Sequence, residues 1–453
     1  MHVLARPCTT TTKMFAVSAL ALVVPFLSVA SAAPAPAISV GASASASASV
    51  GHPEFSRELI EKVRAGAISA PSHSWEWGTM AEALIELDTP ELSVFDAQSV
   101  PASADLALPP VALQTVDDAL ATKPAGKKYF YNTGAVGDQA SIGVTALIAS
   151  ITTGNETYLD ASAQQLDFLL NDAPHDGIVI SHRNETFQAW ADFISMAPPF
   201  IAYYGALNGD KSLLSNAYEQ CKGYRTILQD EETNDTDLWR HILRGTWNDT
   251  GLWLTGNAWA AYGMLRVQQT IAKSAFADEF KSESADLLGW TNEILEAVWS
   301  RQRESGAMLN YMDKPEDDPT NFEDSAGTTL LAAAQYRLAT ITGSKHNIDA
   351  AARAMQRMID LVDADGWIQG AVDPLAFDKP TADGKHSPEA QSFVLFLDTA
   401  ARKYYETVGA DDSEVGGGAG VSVSVDIPLT GPTTVDLGVG ATATVGLPRR
   451  RVF

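Results

Sequence analysis

The chain has 453 residues, and its 56 acidic against 31 basic side chains leave a formal net charge of −25 at pH 7. So acidic a body repels phosphate, which argues against nucleic acid and against an anionic membrane as partners. Of two cysteines only Cys221 lies outside the N-terminal leader, so an intramolecular disulfide and a zinc–thiolate site are excluded and a large core must supply the stability.

The N-terminus reads as a secretion signal over residues 1–32. Arg6 and Lys13 supply a basic region, Phe15 to Val29 an apolar run, and Ala30-Ser31-Ala32 a small-x-small cleavage site. The run falls short of the ~18 residues that cross a bilayer, so the mature protein is expected to be secreted and extracellular, a soluble monomer. Residues 33–54, with Ala-Ser repeats, read as a low-complexity linker. Sequons at Asn155, Asn184, Asn234 and Asn248 fit the same address, a glycoprotein.

Helical periodicity then predicts twelve helices, over 55–66, 74–88, 111–122, 137–153, 157–171, 187–208, 211–229, 253–272, 277–302, 323–342, 346–363 and 387–407. The class is all-α, with a single domain over 55–408. Gly154-Asn155, Gly209-Asp210 and Gly343-Ser344 share a pattern of a left-handed glycine followed by a capping residue, which joins even helices to odd ones tightly. The odd-to-even connections are long, aromatic and charged. In an up-and-down array these all fall at one end, with six helix N-termini, and scaffold-mounted loops of this kind carry function. The partial positive charge of those N-termini could hold a carboxylate. Six hairpins closing on themselves give an (α/α)6 toroid; an open solenoid is the alternative. Residues 409–453, rich in Gly, Val and Thr, read as a disordered tail, or as a strand where Val421 to Val425 alternate.

The most informative stretch is Trp190-Ala191-Asp192-Phe193, continuing through Met196 to Pro199-Phe200-Ile201. It sets one carboxylate in an apolar, aromatic helix start. Burial raises a carboxyl pKa, which suits an acid that gives and takes protons. The bland alternative is an Asp satisfied by local backbone donors. Other polar and aromatic candidates at the same end are Asp138, Glu323, Asp324, Glu389, His182, Arg183, Trp239, His241, Arg244, Trp247, Trp253, Trp259 and His386. Tryptophan beside carboxylate suits a sugar, whose apolar face stacks on the ring. Core packing is the plainer role, favoured for Trp290 and Trp299. Asp313, Asp317 and Asp318 are a weak calcium candidate.

The pattern resembles the six-hairpin glycosidases of glycoside hydrolase families 88 and 105, the unsaturated glucuronyl and rhamnogalacturonyl hydrolases. The resemblance rests on Trp190-Ala191-Asp192, Met196 and Pro199-Phe200-Ile201-Ala202, and on Gly137-Asp138-Gln139-Ala140 before them. Leu252 to Trp259 resembles the family's tryptophan-rich segment, with Thr255 where the family has Arg and Ala258 where it has Gly. The resemblance implies hydration of the C4=C5 double bond of a terminal unsaturated uronic acid on an oligosaccharide substrate. Asp192 is then the acid and base, with Asp138 orienting water or a ring hydroxyl. His241 would bond the sugar, Trp190, Trp253 and Trp259 would contact it, and Arg183 or Arg244 would hold the uronate. No metal and no organic cofactor is required. Two other readings stay open: a conventional inverting glycosidase using Asp138 and Asp192, and a carbohydrate-binding protein that has lost catalysis.

Overall fold

The protein's structure, a computed structural model, describes residues 51–230 and 237–415. The expected leader, the linker up to residue 50, the sequon at Asn234 and the tail beyond residue 415 lie outside them. No described helix is long and apolar enough to cross a membrane.

Every expected helical segment contains helix. The first three are α1 (Arg57–Ser69), α2 (Ser74–Asp88) and α3 (Pro110–Thr122). The fourth is broken into α4 (Val136–Ala140) and α5 (Gly143–Thr153), and the fifth is α6 (Glu156–Asp167), ending in a π turn over Phe168–Asp172. The sixth differs most from expectation. It starts as a strand and continues as α7 (Phe193–Met196) and α8 (Pro198–Asn208), because the adjacent prolines have no amide to donate and restart the helix at Pro198. Then follow α9 (Lys211–Leu228), α10 (Leu254–Lys273), α11 (Lys281–Trp299), α12 (Ser325–Thr342), α13 (Ile348–Leu361) and α14 (Pro388–Val415). The last runs well past the expected end at residue 407.

Helix packing closes a ring. α2, α5, α8, α10, α12 and α14 pack in that cyclic order, and α14 returns to α2. The remaining long helices, α1, α3, α6, α9, α11 and α13, lean on this ring from outside. The architecture is the expected (α/α)6 toroid, not an open solenoid. Sequence explains which helices go inside. On α10 every residue from Leu254 to Ile271 is buried, whereas α13 buries only Ile348, Ala350, Ala351, Ala354, Met355 and Met358, a stripe at three-four spacing. Gly263 lets α10 approach α7 closely, since a Cβ there would lie 2.3 Å from the Ile194 carbonyl oxygen.

The three tight turns form as expected, with Gly154, Gly209 and Gly343 in the left-handed region at φ near 70°. Asn155 and Asp210 cap α6 and α9 with their side chains. The third turn departs, because α13 starts after Asn347, whose side chain makes no capping bond. Low in the ring, charged groups tie three inner helices together. Arg337 on α12 bonds Glu86 on α2 at 2.7 Å, the Tyr262 hydroxyl of α10 bonds Glu86 at 2.9 Å, and Arg266 of α10 meets Glu82 of α2 at 2.6 Å.

The long connections carry small antiparallel ribbons. β1 (His175–Asp176) pairs with β2 (Val179–Ile180), β3 (Ala189–Trp190) with β4 (Ile242–Leu243), and β5 (Val372–Asp373) with β6 (Ala376–Pro380). In the second ribbon Trp190 faces Ile242 and Ala189 faces Leu243, so two loops distant in sequence meet beside Asp192.

Candidate active site

Starts of five inner-ring segments converge on one cleft of about 390 Å³: Trp75 near the start of α2, Asp138 on α4, Asp192 before α7, Trp253 before α10 and Glu389 on α14. Connecting loops close it with His182, Arg183, Trp190, Trp247, Leu375 and Phe377. The end of the array expected to carry function is therefore the end that holds the cleft.

Asp192 precedes α7, and its side chain makes no capping bond, so local backbone donors do not account for it. The side chain is 14% exposed, at the cleft wall. The β3–β4 ribbon brings His241 behind it, with the Ala191 amide donating to the His241 carbonyl oxygen at 3.0 Å. His241 Nε2 lies 3.4 Å from Asp192 Oδ2, an ion-pair distance without hydrogen-bond alignment. His241 Nδ1 lies 2.9 Å from Asp249 Oδ2, which also accepts the Tyr311 hydroxyl at 2.5 Å, and Asp249 Oδ1 accepts the Gly251 amide at 3.1 Å. Burial opposes charge on the ring, but Asp192 and Asp249 outweigh it and hold the His241 pKa above its ordinary value. Burial likewise works against ionised Asp249, yet its bond to His241 keeps its carboxyl below the usual range. The result is an imidazolium hydrogen-bonded to the Asp249 carboxylate and held 3.4 Å from Asp192.

Asp138, also 14% exposed, sits in a different field. Burial first, and the charge of Asp192 second, push it up to about 8, against a smaller opposing pull from Arg183. His182, 3.7 Å from Asp138, is buried, and burial pushes its pKa down to about 4, so this ring is neutral at pH 7. It stacks on Trp190, with centroids 4.7 Å apart. Trp190 donates to Gln188 Oε1 at 3.0 Å, turns an edge to Trp247, and carries the Arg183 guanidinium 5.9 Å from its ring centre. Trp253 packs against His241 at 4.2 Å, and its indole N–H donates to Asn310 at 2.9 Å.

Thus Asp192, Asp138, Trp190, Trp253 and Arg183 come together as expected, and three other expectations are corrected. His241 is fully buried behind Asp192 and does not line the cleft where the sugar was expected to meet it. Trp259 is core: it packs edge-on against Phe393, and its carbonyl oxygen accepts the Ser195 hydroxyl. Six residues beyond Trp253, it lies nearly two turns down α10 and on another face. Arg244 stands at φ 71° on an exposed loop tip, bonded to Asp176, and does not line the cleft. Thr255 donates to Asp324 Oδ2 at 2.7 Å. Asp324 also accepts the Ala326, Gly327 and Val372 amides, so both residues serve the start of α12 below the cleft. Trp299 is buried and donates to Gln335, and Trp290 stacks on Tyr218. Among the acids weighed for calcium, Asp313 accepts the Leu252 amide and Asp318 the Thr320 amide.

Sequence reasoning passed over Trp75, Asp249, Leu375 and Phe377. Trp75 stood at a predicted helix start, so the same rule that picked Trp253 reached it. Asp249 belongs to the Asn248 sequon and carries no separate signal of its bond to His241.

Comparison with known proteins agrees with this geometry. The model of Glycosyl Hydrolase Family 88 matches residues 110–382. The chain belongs to that family. It is 26% identical over 242 residues to the unsaturated rhamnogalacturonyl hydrolase YesR of Bacillus subtilis (strain 168), a match spanning 50% of this chain and 64% of the relative. Its fold is that of a possible GH105 member from Klebsiella pneumoniae, with TM-score 0.62, 16% identity, and coverage of 78% of this chain and 96% of that one. The unsaturated glucuronyl hydrolase of Bacillus sp. GL1 shares it with TM-score 0.52 and 16% identity over 76% of this chain and 95% of that one. The expected family and toroid are borne out, and the Asp192 segment lies within the family 88 match.

Proposed function

We propose that this family 88 chain is a glycoside hydrolase that releases a terminal unsaturated uronic acid from an oligosaccharide by hydrating its C4=C5 double bond. One observation carries the reading: Asp192, in the cleft wall and backed by the His241–Asp249 pair, raises the pKa of its neighbour Asp138, which keeps a proton to about pH 8. Burial and the Asp192 charge thus keep one proton in the cleft. Hydration needs one. With the proton on Asp192, its carboxyl protonates C4 and becomes carboxylate. Positive charge grows at C5, water adds there, and Asp192 takes the water's proton back. The resulting hemiketal opens and frees the sugar. Asp138 holds the water or a ring hydroxyl.

Trp190 offers its ring to the sugar over a floor backed by buried Trp253, and Arg183 offers its guanidinium to the uronate. The relatives named unsaturated rhamnogalacturonyl and glucuronyl hydrolases support the substrate class. We assign the protein to the extracellular space as a soluble monomer. The leader pattern supports that address, as do the exposed asparagines of three described sequons, Asn155, Asn184 and Asn248.

The deciding assay follows the absorbance of the conjugated double bond on unsaturated digalacturonate, unsaturated rhamnogalacturonan disaccharide and unsaturated chondroitin disaccharide, beside their saturated counterparts. Loss of absorbance on at least one is expected. Turnover of the saturated sugars alone would replace this reading with an inverting glycosidase, for which Asp138 and Asp192 are the two carboxyls.

A further inference from the structure

Glu389 has no task in the reaction above, yet it is held in the cleft wall. It is 2% exposed and lines the cleft from the first turn of α14. Its Oε2 accepts the Trp75 indole N–H at 3.1 Å, which ties α14 to α2 across the ring closure. Its Oε1 is buried and has no hydrogen-bond partner. An unpaired buried oxygen is unfavourable, and in the wall of a binding cleft the group that pairs it belongs to the ligand. Burial, and then the charges of Asp192 and Glu76, hold the Glu389 pKa well above the ordinary value, which favours the protonated carboxyl, a donor as well as an acceptor. The cleft lining counts three carboxyls, Asp138, Asp192 and Glu389, against one guanidinium, that of Arg183, itself bonded to Glu185. With that guanidinium already paired, such a wall offers a hydroxyl a partner and a second anion no free cation.

We propose that Glu389, oriented by Trp75, hydrogen-bonds a free hydroxyl of the terminal uronide ring and so selects rings that carry no sulfate at that position. The inference rests on the unsaturated-uronide reading and adds a specificity-determining residue to it. A hydroxyl at Oε1 completes the bonding of a carboxyl whose other oxygen is already fixed. A sulfate there finds no free cation to pair with.

The experiment measures kcat and KM of the wild-type protein, Glu389→Gln, Glu389→Ala and Trp75→Phe. Each is tested on an unsaturated uronide disaccharide and on the same disaccharide sulfated on the uronide ring. The wild type is expected to prefer the unsulfated sugar by about 100-fold in kcat/KM. Glu389→Ala raises KM for that sugar by about tenfold, with a smaller change in kcat, and narrows the preference. Glu389→Gln, which still donates and accepts, stays within about threefold of wild-type KM. Trp75→Phe frees Oε2 and shifts KM in the same direction as Glu389→Ala, so it decides the matter should the alanine variant fail to fold. Wild-type KM and undiminished preference in Glu389→Ala, or in Trp75→Phe where the former does not fold, would overturn the inference while the reaction stands. Absence of wild-type turnover on every unsaturated uronide would instead overturn the reaction, and the inference with it.

Discussion

Asp192 and His241 face each other at 3.4 Å, and the charge of one depends on the other. Replacing Asp192 by Asn removes the group that moves the proton while keeping its shape. The expected result is a loss of about 10²–10⁴-fold or more in kcat with an unchanged melting temperature. A variant that keeps wild-type kcat would end the assignment. Asp249 acts one step further back. Asp249→Asn leaves the hydrogen-bonding outline but removes the negative charge that favours the imidazolium, so the His241 pKa falls. The alkaline limb of the pH–rate profile then moves to lower pH, since the charge facing Asp192 is lost at lower pH than before, while KM changes little. An unmoved profile would reduce Asp249 to a packing role. The sequence made Asp192 legible because an acid among apolar residues demands an explanation. It did not make the role of His241 legible, because which ring nitrogen meets which carboxylate depends on the register of β3 and β4. Arg244 and Trp259 misled for related reasons: a charged loop residue and a helix-start tryptophan look alike whether they face the cleft or turn away.

At the scale of elements, helical periodicity located the helices, and the alternation of tight and long connections paired them into hairpins with the long loops at one end. Local breaks were not legible. Periodicity continued through Ser141 and Ile142, and across Ala197, where the chain interrupts a helix and re-aims the short segment bearing the functional side chain. Those one-turn pieces, α4 and α7, are what set Asp138 and Asp192 into the cleft. The inner helices also depend on contacts that no single segment reveals. Arg337 is fully buried and bonds Glu86 on α2 and Asp96 beyond it. Arg337→Met would strand Glu86 without its cation, and a destabilisation of about 3–5 kcal/mol is expected in chemical denaturation. A paired change that also replaces Glu86 by Leu should recover much of that loss, since a packed apolar pair avoids the desolvation cost.

For the molecule as a whole, the acids of the cleft set a pH dependence opposite to that of a surface carboxylate. Asp138 titrates near 8 in the folded protein and near 4 in the unfolded chain, and Glu389 is raised in the same sense. Between those limits the native state binds more protons than the unfolded one. Their contribution is therefore fully present below about pH 4 and is lost as pH climbs toward 8. Asp249 works in the other direction, but its contribution is already complete above about pH 4 and does not change in this window. His182, pushed down to about 4, works against this up to about pH 6.5, so the melting temperature is expected to fall chiefly from pH 6.5 to pH 8, and Asp138→Asn should flatten that slope. A melting temperature that rises over the same interval would contradict the protonated state on which the reaction relies.

Trp247 is 48% exposed, lines the cleft, and meets Trp190 edge to face at 5.4 Å. An indole in water emits at longer wavelength than one covered by a ligand. Occupancy of the mouth can therefore be followed optically, as a blue shift on titration of the inactive Asp192→Asn protein with disaccharide. Trp247→Phe should silence most of that signal and leave the remaining emission in place, which separates capture of the sugar from its chemistry.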